Sequence, residues 1–263
     1  MRVGQISTFL VLLAFAGFIL GIVDEASAVM LVSRADEVKI GKRVEQETIK
    51  EYGGVSTDAV LNERVERVGK LVAAVSPRKD VTYTYKVVNS DVVNAFAAPG
   101  GPVVITKKLA QMLSADDELA FVLAHETGHI AAQHGRKAIN RAILASGVAY
   151  LLFRKSGESV QTGVNVMYTL YDRGYSRDQE YEADSYGVTL ARAAGFNNEG
   201  AISALAKLGL KRAKGVDKYF ATHPDTPDRI NRVAQLAGIA KERVEQIVQE
   251  VQAHANANAR RQK

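Results

Sequence analysis

The chain of 263 residues contains no cysteine. That excludes disulfides, thiol nucleophiles, cysteine metal ligands and a lipid-modified N-terminal cysteine. Any metal bound by this chain is therefore held by histidine and carboxylate. Blocks of one charge sign are also missing. The net charge is +5 and the pI near 9.3, but lysines and arginines alternate with acids in stretches such as KIGKRVEQETIKE and LNERVERVGK. Such mixing marks solvated helix faces rather than a nucleic-acid surface, and no RNA- or DNA-binding motif is present. There is no repeat of solenoid period and no second domain boundary. The expectation is one large domain with short appendages, and its length suffices for a substantial core.

Long apolar runs are scarce too. The N-terminal run FLVLLAFAGFILGIV, Phe9 to Val23, has 15 residues, whereas a full membrane span needs about 20. It follows Arg2 and precedes Ala26-Ser27-Ala28. This is the pattern of a signal peptide over residues 1–28, with an uncleaved N-terminal anchor as the alternative. Either reading puts the remainder outside the cytoplasm, in a bacterial periplasm, with membrane association confined to the periphery or the N-terminus.

Helical patterns are expected from Ser33 to Tyr52, ended by Gly53-Gly54, and over 57–75, broken by Ser76-Pro77. The β-rich stretches 81–88 and 91–97, the turn Pro99-Gly100-Gly101-Pro102 and the following VVIT read as a small antiparallel sheet. A helix of 107–113 follows. Ser114, with an acid three residues on, reads as the cap of a buried helix, ELAFVLAHETGHIAAQH. Residues 138–153 read as a buried helix, or as a lid. Ser176 with Gln179 caps a helix that Gly195 closes. More helices run to about residue 252, and AHANANARRQK reads as a frayed tail.

The chemistry concentrates in HETGH, residues 125–129. Residues four apart on a helix differ by about 40° around the axis, so His125 and His129 share a face and can grip one metal ion. Glu126, about 100° away, can still reach a water activated by that metal. This is the arrangement of metal-assisted peptide hydrolysis, with Glu126 as general base. A third ligand is needed. The long variant of the motif with Gly at 132 and His at 135 is excluded by Ala132 and Gly135. His134 falls on roughly the opposite side of an extended helix and reads as a surface or packing histidine. A carboxylate from another helix is the natural candidate, and SRDQEYEAD offers Glu180 and Asp184 on one face, with Glu182 turned elsewhere. Glu180 as ligand, with Asp184 accepting from a ligand imidazole, fits zinc-site design. The same spacing also describes an acidic solvated helix face.

HETGH followed by YSRDQEYEAD resembles the zinc metallopeptidases that include HtpX, the CAAX prenyl endopeptidases, the mitochondrial OMA-type protease and the periplasmic BepA-like proteases. VNAFAAPGGPVVITKKL and HPDTPDRI extend the resemblance over roughly residues 35–240. With at most one apolar segment and no tetratricopeptide pattern, the chain is nearest the small periplasmic members.

The resemblance implies an α+β, zincin-like metallopeptidase domain over 33–240, mostly helical with a small antiparallel sheet, followed by a C-terminal helix and tail over 241–263. It implies one zinc ion on His125, His129 and Glu180, and Glu126 as base. Asn94, Ala95, Phe96 and Ala97 become an edge strand for substrate backbone. His223 approaches the zinc, either stabilising the oxyanion or acting as a brake. Arg229 leans structural. The expected activity is endopeptidase cleavage of misfolded or unassembled envelope proteins. The alternative is a latent or non-catalytic, chaperone-like zinc protein of the envelope.

Overall fold

The computed structural model describes residues 31–145, 158–209, 219, 222–223 and 229–261. The signal-peptide segment 1–28 lies outside them, as does the 146–153 part of the expected helix or lid. Among the described residues no helix is long and apolar enough to cross a membrane.

Helix α1 (Arg34–Glu51) starts where the Ser33 hydroxyl accepts the Asp36 N–H. Helix α2 (Ala59–Val75) starts likewise on Asp58, which accepts from Leu61 N–H at 3.0 Å. Both use a side-chain oxygen to satisfy a first-turn donor. Apolar positions of α2, among them Leu61, Val65, Val68 and Val72, face the core.

The sheet holds β1 (Thr84–Val88), β2 (Ala95–Ala97) and β3 (Pro102–Thr106) in the order β1-β3-β2. It is mixed rather than purely antiparallel. β2 pairs antiparallel with β3, from Ala95↔Ile105 to Ala97↔Val103, while β1 pairs parallel with β3, from Thr84↔Pro102 to Val88↔Thr106. The tight turn explains this. Gly100 and Gly101 take φ of 79° and 128°, conformations open to glycine, and fold β3 straight back on β2. The other side of β3 is then free for β1, which runs in the same direction. β2 is left at the sheet edge.

Helix α3 (Lys107–Met112) is capped by Thr106 and leads into α4 (Asp116–Ala131), which is buried from Glu118 to Ile130. Its cap is Ala115 rather than Ser114: the Glu118 carboxylate accepts the Ala115 N–H at 3.2 Å and also receives Lys207 at 2.6 Å. Gln133, with φ of 60°, ends the α4 direction, and α5 (His134–Ala145) sets off afresh. Helices α6 (Glu158–Arg173), α7 (Arg177–Ala193), α8 (Glu199–Gly209), α9 (Arg229–Ala237) and α10 (Lys241–Arg261) follow. Ser176 and Gln179 form the expected reciprocal cap of α7. The C-terminal stretch is helical through Arg261, although only its first half, through Val251, is anchored in the core.

Candidate metal centre and active site

α4 carries HETGH and packs directly on α7. Two glycines permit the closeness. A Cβ on Gly128 would lie 2.6 Å from the Tyr186 Cβ, and one on Gly187 would lie 2.9 Å from the Phe121 ring. With neither present, α7 delivers Glu180 and Asp184 to the face of α4 that bears the histidines. All of His125, Glu126, His129, Glu180, Asp184 and His223 are buried, none more than 2% exposed.

His125 Nε2 and His129 Nε2 face each other at 3.1 Å. The Glu180 carboxylate completes the set, Oε1 3.4 Å from His129 Nε2 and Oε2 3.6 Å from His125 Nε2. A tetrahedral zinc with bonds of about 2.0–2.1 Å has ligand–ligand edges of about 3.3 Å. His223 Nδ1 stands near the remaining corner, 3.4 Å from His125 Nε2 and 3.0 Å from Glu180 Oε1. The potential ligand atoms of these four residues lie within 4.8 Å of one another.

Outer partners set which ring nitrogens are free. Asp184 Oδ1 lies 3.0 Å from His125 Nδ1; an ionised carboxylate only accepts, so Nδ1 carries the proton and Nε2 keeps its lone pair. His129 is fixed by a longer chain. Its Nδ1 lies 2.8 Å from His134 Nδ1, and His134 Nε2 lies 3.1 Å from Glu182 Oε2. The Glu182 carboxylate accepts from His134 Nε2–H, which leaves His134 Nδ1 to accept from His129 Nδ1–H. The lone pair of His129 Nε2 then also points inward. His134 is thus neither a surface residue nor on the far side of the motif helix. The break at Gln133 swings it back against His129, and Glu182 is the residue that holds it.

The electrostatics fit a bound dication. Three buried carboxylates, Glu126, Glu180 and Asp184, face one buried guanidinium, Arg229. Glu180 Oε2 is buried without a hydrogen-bond partner, its nearest cationic group being Arg229 Nη1 at 3.6 Å, which leaves a buried carboxylate oxygen free for a metal; the Glu126 oxygens also lack hydrogen bonds, with His223 Nε2 3.4 Å away. Burial pushes the Glu126 carboxyl up, opposed in part by His223 and His125. Burial would raise Glu180 too, but His223, whose Nδ1 lies 3.0 Å from Glu180 Oε1, outweighs it and holds that carboxyl well below the usual range. Burial holds His129 well below the usual imidazole value, hence neutral, as a metal ligand must be.

Arg229 donates to both Asp184 oxygens, at 2.9 and 2.8 Å, and lies 3.6 Å from Glu180. Although burial raises the Asp184 carboxyl, Arg229 and His125 outweigh it and hold it low. Tyr175 stacks on His129, ring centroids 3.8 Å apart and 20° from parallel. Sequence reasoning did not find it; its place one residue before the α7 cap was the available signal.

Asn94 and β2 form the sheet edge. Asn94 Oδ1 accepts the Ala95 N–H at 2.9 Å and the Thr222 hydroxyl at 3.2 Å, tying the edge to the residue before His223. The outer side of β2 is partly taken: Tyr171 of α6 donates to the Ala97 carbonyl at 3.0 Å.

A mostly helical α+β domain, with a small sheet beside a buried helix that carries two histidines and a glutamate, is a zincin-like metallopeptidase fold. Residues 59–237 match the model of Peptidase family M48, which covers more than half the chain, and the chain belongs to that family. It is 31% identical over 200 residues to the mitochondrial metalloendopeptidase OMA1 of Arabidopsis thaliana, covering 76% of this chain and 40% of that protein. It is 29% identical over 180 residues to the metalloprotease YcaL of Escherichia coli (strain K12), covering 64% and 68% respectively. To the beta-barrel assembly-enhancing protease of Yersinia pestis it is 26% identical over 196 residues, covering 68% and 40%. The chain thus spans well under two thirds of the plant and Yersinia relatives. These similar identities define the family rather than one branch of it.

Proposed function

We propose that this chain is a zinc-dependent endopeptidase that hydrolyses peptide bonds of misfolded or unassembled cell-envelope proteins. The observation that carries the reading is the convergence of His125 Nε2, His129 Nε2 and the Glu180 carboxylate at 3.1 to 3.6 Å, beside a Glu126 carboxylate that makes no hydrogen bond. His125, His129 and Glu180 would hold a zinc ion, which would supply Lewis acidity toward a peptide carbonyl and a water. Glu126 takes the water's proton and passes it to the leaving amine, a role suited by a carboxyl that burial has made more basic. Asp184 and His134 hold the ligand imidazoles in the tautomers that face inward. A substrate strand laid along Asn94–Ala97 hydrogen-bonds through its backbone, which tolerates varied sequences. A purely structural site has no use for Glu126. The periplasm, reached through the N-terminal segment, is the compartment this reading assigns, with any membrane attachment peripheral or N-terminal.

A second reading is favoured by two contacts: this conformation is latent. His223 Nδ1 stands near the fourth corner of the ligand set, with Nε2 3.4 Å from Glu126, and Tyr171 holds the Ala97 carbonyl that a substrate strand needs. His223 then serves as a brake when in place and as an oxyanion donor when displaced.

The test is casein cleavage by the full chain with and without chelator, beside Glu180→Ala. Cleavage lost with chelator, restored by zinc and absent in Glu180→Ala supports the endopeptidase. Cleavage that rises in His223→Ala supports the latent reading, and an unchanged or lower rate contradicts the brake.

A further inference from the structure

Against the outer side of β2 lies a cavity of about 110 Å³. Tyr52, Phe96, Tyr168 and Tyr171 wall it, and Glu51 and Asp172 stand at its rim. The rings interlock: Phe96 of β2 sits 5.0 Å from Tyr52 and 5.1 Å from Tyr171, and Tyr171 sits 6.3 Å from Tyr168, centroid to centroid. Glu51 and Asp172 are exposed, and among the described residues neither has an ion-pair or hydrogen-bond partner. Thr222, the neighbour of His223, also lines the cavity, which places it near the proposed reaction centre.

Aromatic faces attract cations through their quadrupole, and long cationic side chains lay their methylenes on apolar walls while the charge stays at the wet end. Two unpaired carboxylates at the mouth of a ring-lined cavity repel an acidic side chain and leave an apolar one without use for them. The whole chain carries +5 and repels cations at a distance, so attraction here is local. The volume is comparable to the roughly 150 Å³ that admits a benzene ring, about the bulk of a lysine stem. From this geometry we propose that the cavity receives a lysine or arginine side chain of a polypeptide that docks beside the β2 edge, the stem against the four rings and the charge between Glu51 and Asp172. The inference rests on the endopeptidase reading and names a determinant of its substrate preference.

The test uses the full chain with Glu126→Gln, which removes turnover, and one unstructured peptide made in versions with lysine, norleucine or glutamate at a single central position. Binding is followed by fluorescence anisotropy. The contacts together predict roughly 5- to 20-fold tighter binding of the lysine version than of the norleucine version, and E51Q/D172N should abolish that difference. Both substituted residues are exposed, so folding is not at stake. Equal binding of the lysine and norleucine versions, no binding of any, or a difference that survives E51Q/D172N overturns the proposal. Cleavage-site mapping on casein with the unsubstituted full chain separates the two readings. No cleavage with the binding difference intact refutes proteolysis and leaves the pocket; cleavage with no preference for a basic residue refutes the pocket and leaves proteolysis.

Discussion

Replacing Glu37 by glutamine should cost this protein far more than a surface acid would. Glu37 lies in the first turn of α1 and is fully buried. Its Oε2 is 2.6 Å from Arg78 Nη2, and its Oε1 accepts the Gly100 N–H at 3.2 Å. Arg78 in turn donates to the Ile130 carbonyl at 2.8 Å, at the end of the motif helix. One ion pair thus clamps α1, the β2–β3 turn and the C-terminal end of α4. Breaking a buried pair from one side typically costs about 3–5 kcal/mol, because the other charge stays buried. Arg78 keeps the Ile130 carbonyl and a 3.3 Å contact to the half-exposed Asp80, which places Glu37→Gln near the lower end, at about 3 kcal/mol. For a domain of this size that corresponds to a fall in Tm of roughly 6–12 °C. Glu37→Leu also leaves the Gly100 N–H without its acceptor, adding about 1–3 kcal/mol. The E37L/R78M double variant should cost less than the sum of the singles by about 2 kcal/mol or more, since neither member of that pair is then stranded, while Arg136, 3.7 Å from Glu37, loses its carboxylate equally in the Glu37→Leu single and in the double. The assay is urea unfolding followed by circular dichroism in the presence of chelator, so that metal binding adds nothing. A loss below about 1 kcal/mol in Glu37→Gln, or additive singles, would refute the reasoning.

Other perturbations test the architecture of the site. Gly128→Ala inserts a methyl group 2.6 Å from the Tyr186 Cβ; it should destabilise by about 1–3 kcal/mol and weaken zinc binding by moving Glu180 outward. His134→Ala removes the acceptor of His129 Nδ1–H and should lower zinc affinity about 10- to 100-fold, measured by competition with a chromogenic chelator; unchanged affinity would show that His134 only fills space. Burial raises the Asp116 carboxyl, but hydrogen bonds from Arg67 and Arg64 outweigh it and lower its pKa. Its contribution is therefore full above the usual carboxylate range and is lost as pH falls through the lower folded value. Thermal melts from pH 5 to pH 2 should fall more steeply for the natural chain than for Asp116→Asn.

Local signals carried much of the site. The four-residue spacings of His125 with His129, and of Glu180 with Asp184, translate directly into shared helix faces, and the Ser176 cap fixed where the second face begins. What the sequence hid depends on events outside any one helix. His134 was misplaced because a helix continued past Ala132 puts it on the wrong side, and nothing in AAQH announces that Gln133 takes a positive φ. The parallel pairing of β1 with β3 escaped because neighbouring strands suggest hairpins, while the insertion of β3 between β1 and β2 is decided by the glycine turn. Glu37 and Arg78 are separated by 41 positions, and each alone reads as a solvated charge. Arg229 lies 45 positions from Asp184, so only tertiary packing reveals their bidentate pair.

The central claim is that Glu126 performs chemistry at a metal it does not ligate. The most direct measurement is zinc content and casein cleavage of the full chain beside Glu126→Gln. The account predicts one zinc per chain in both, with cleavage in the first and a loss of about a thousandfold or more in the second. Zinc lost with Glu126→Gln, or cleavage retained by it, would contradict the account.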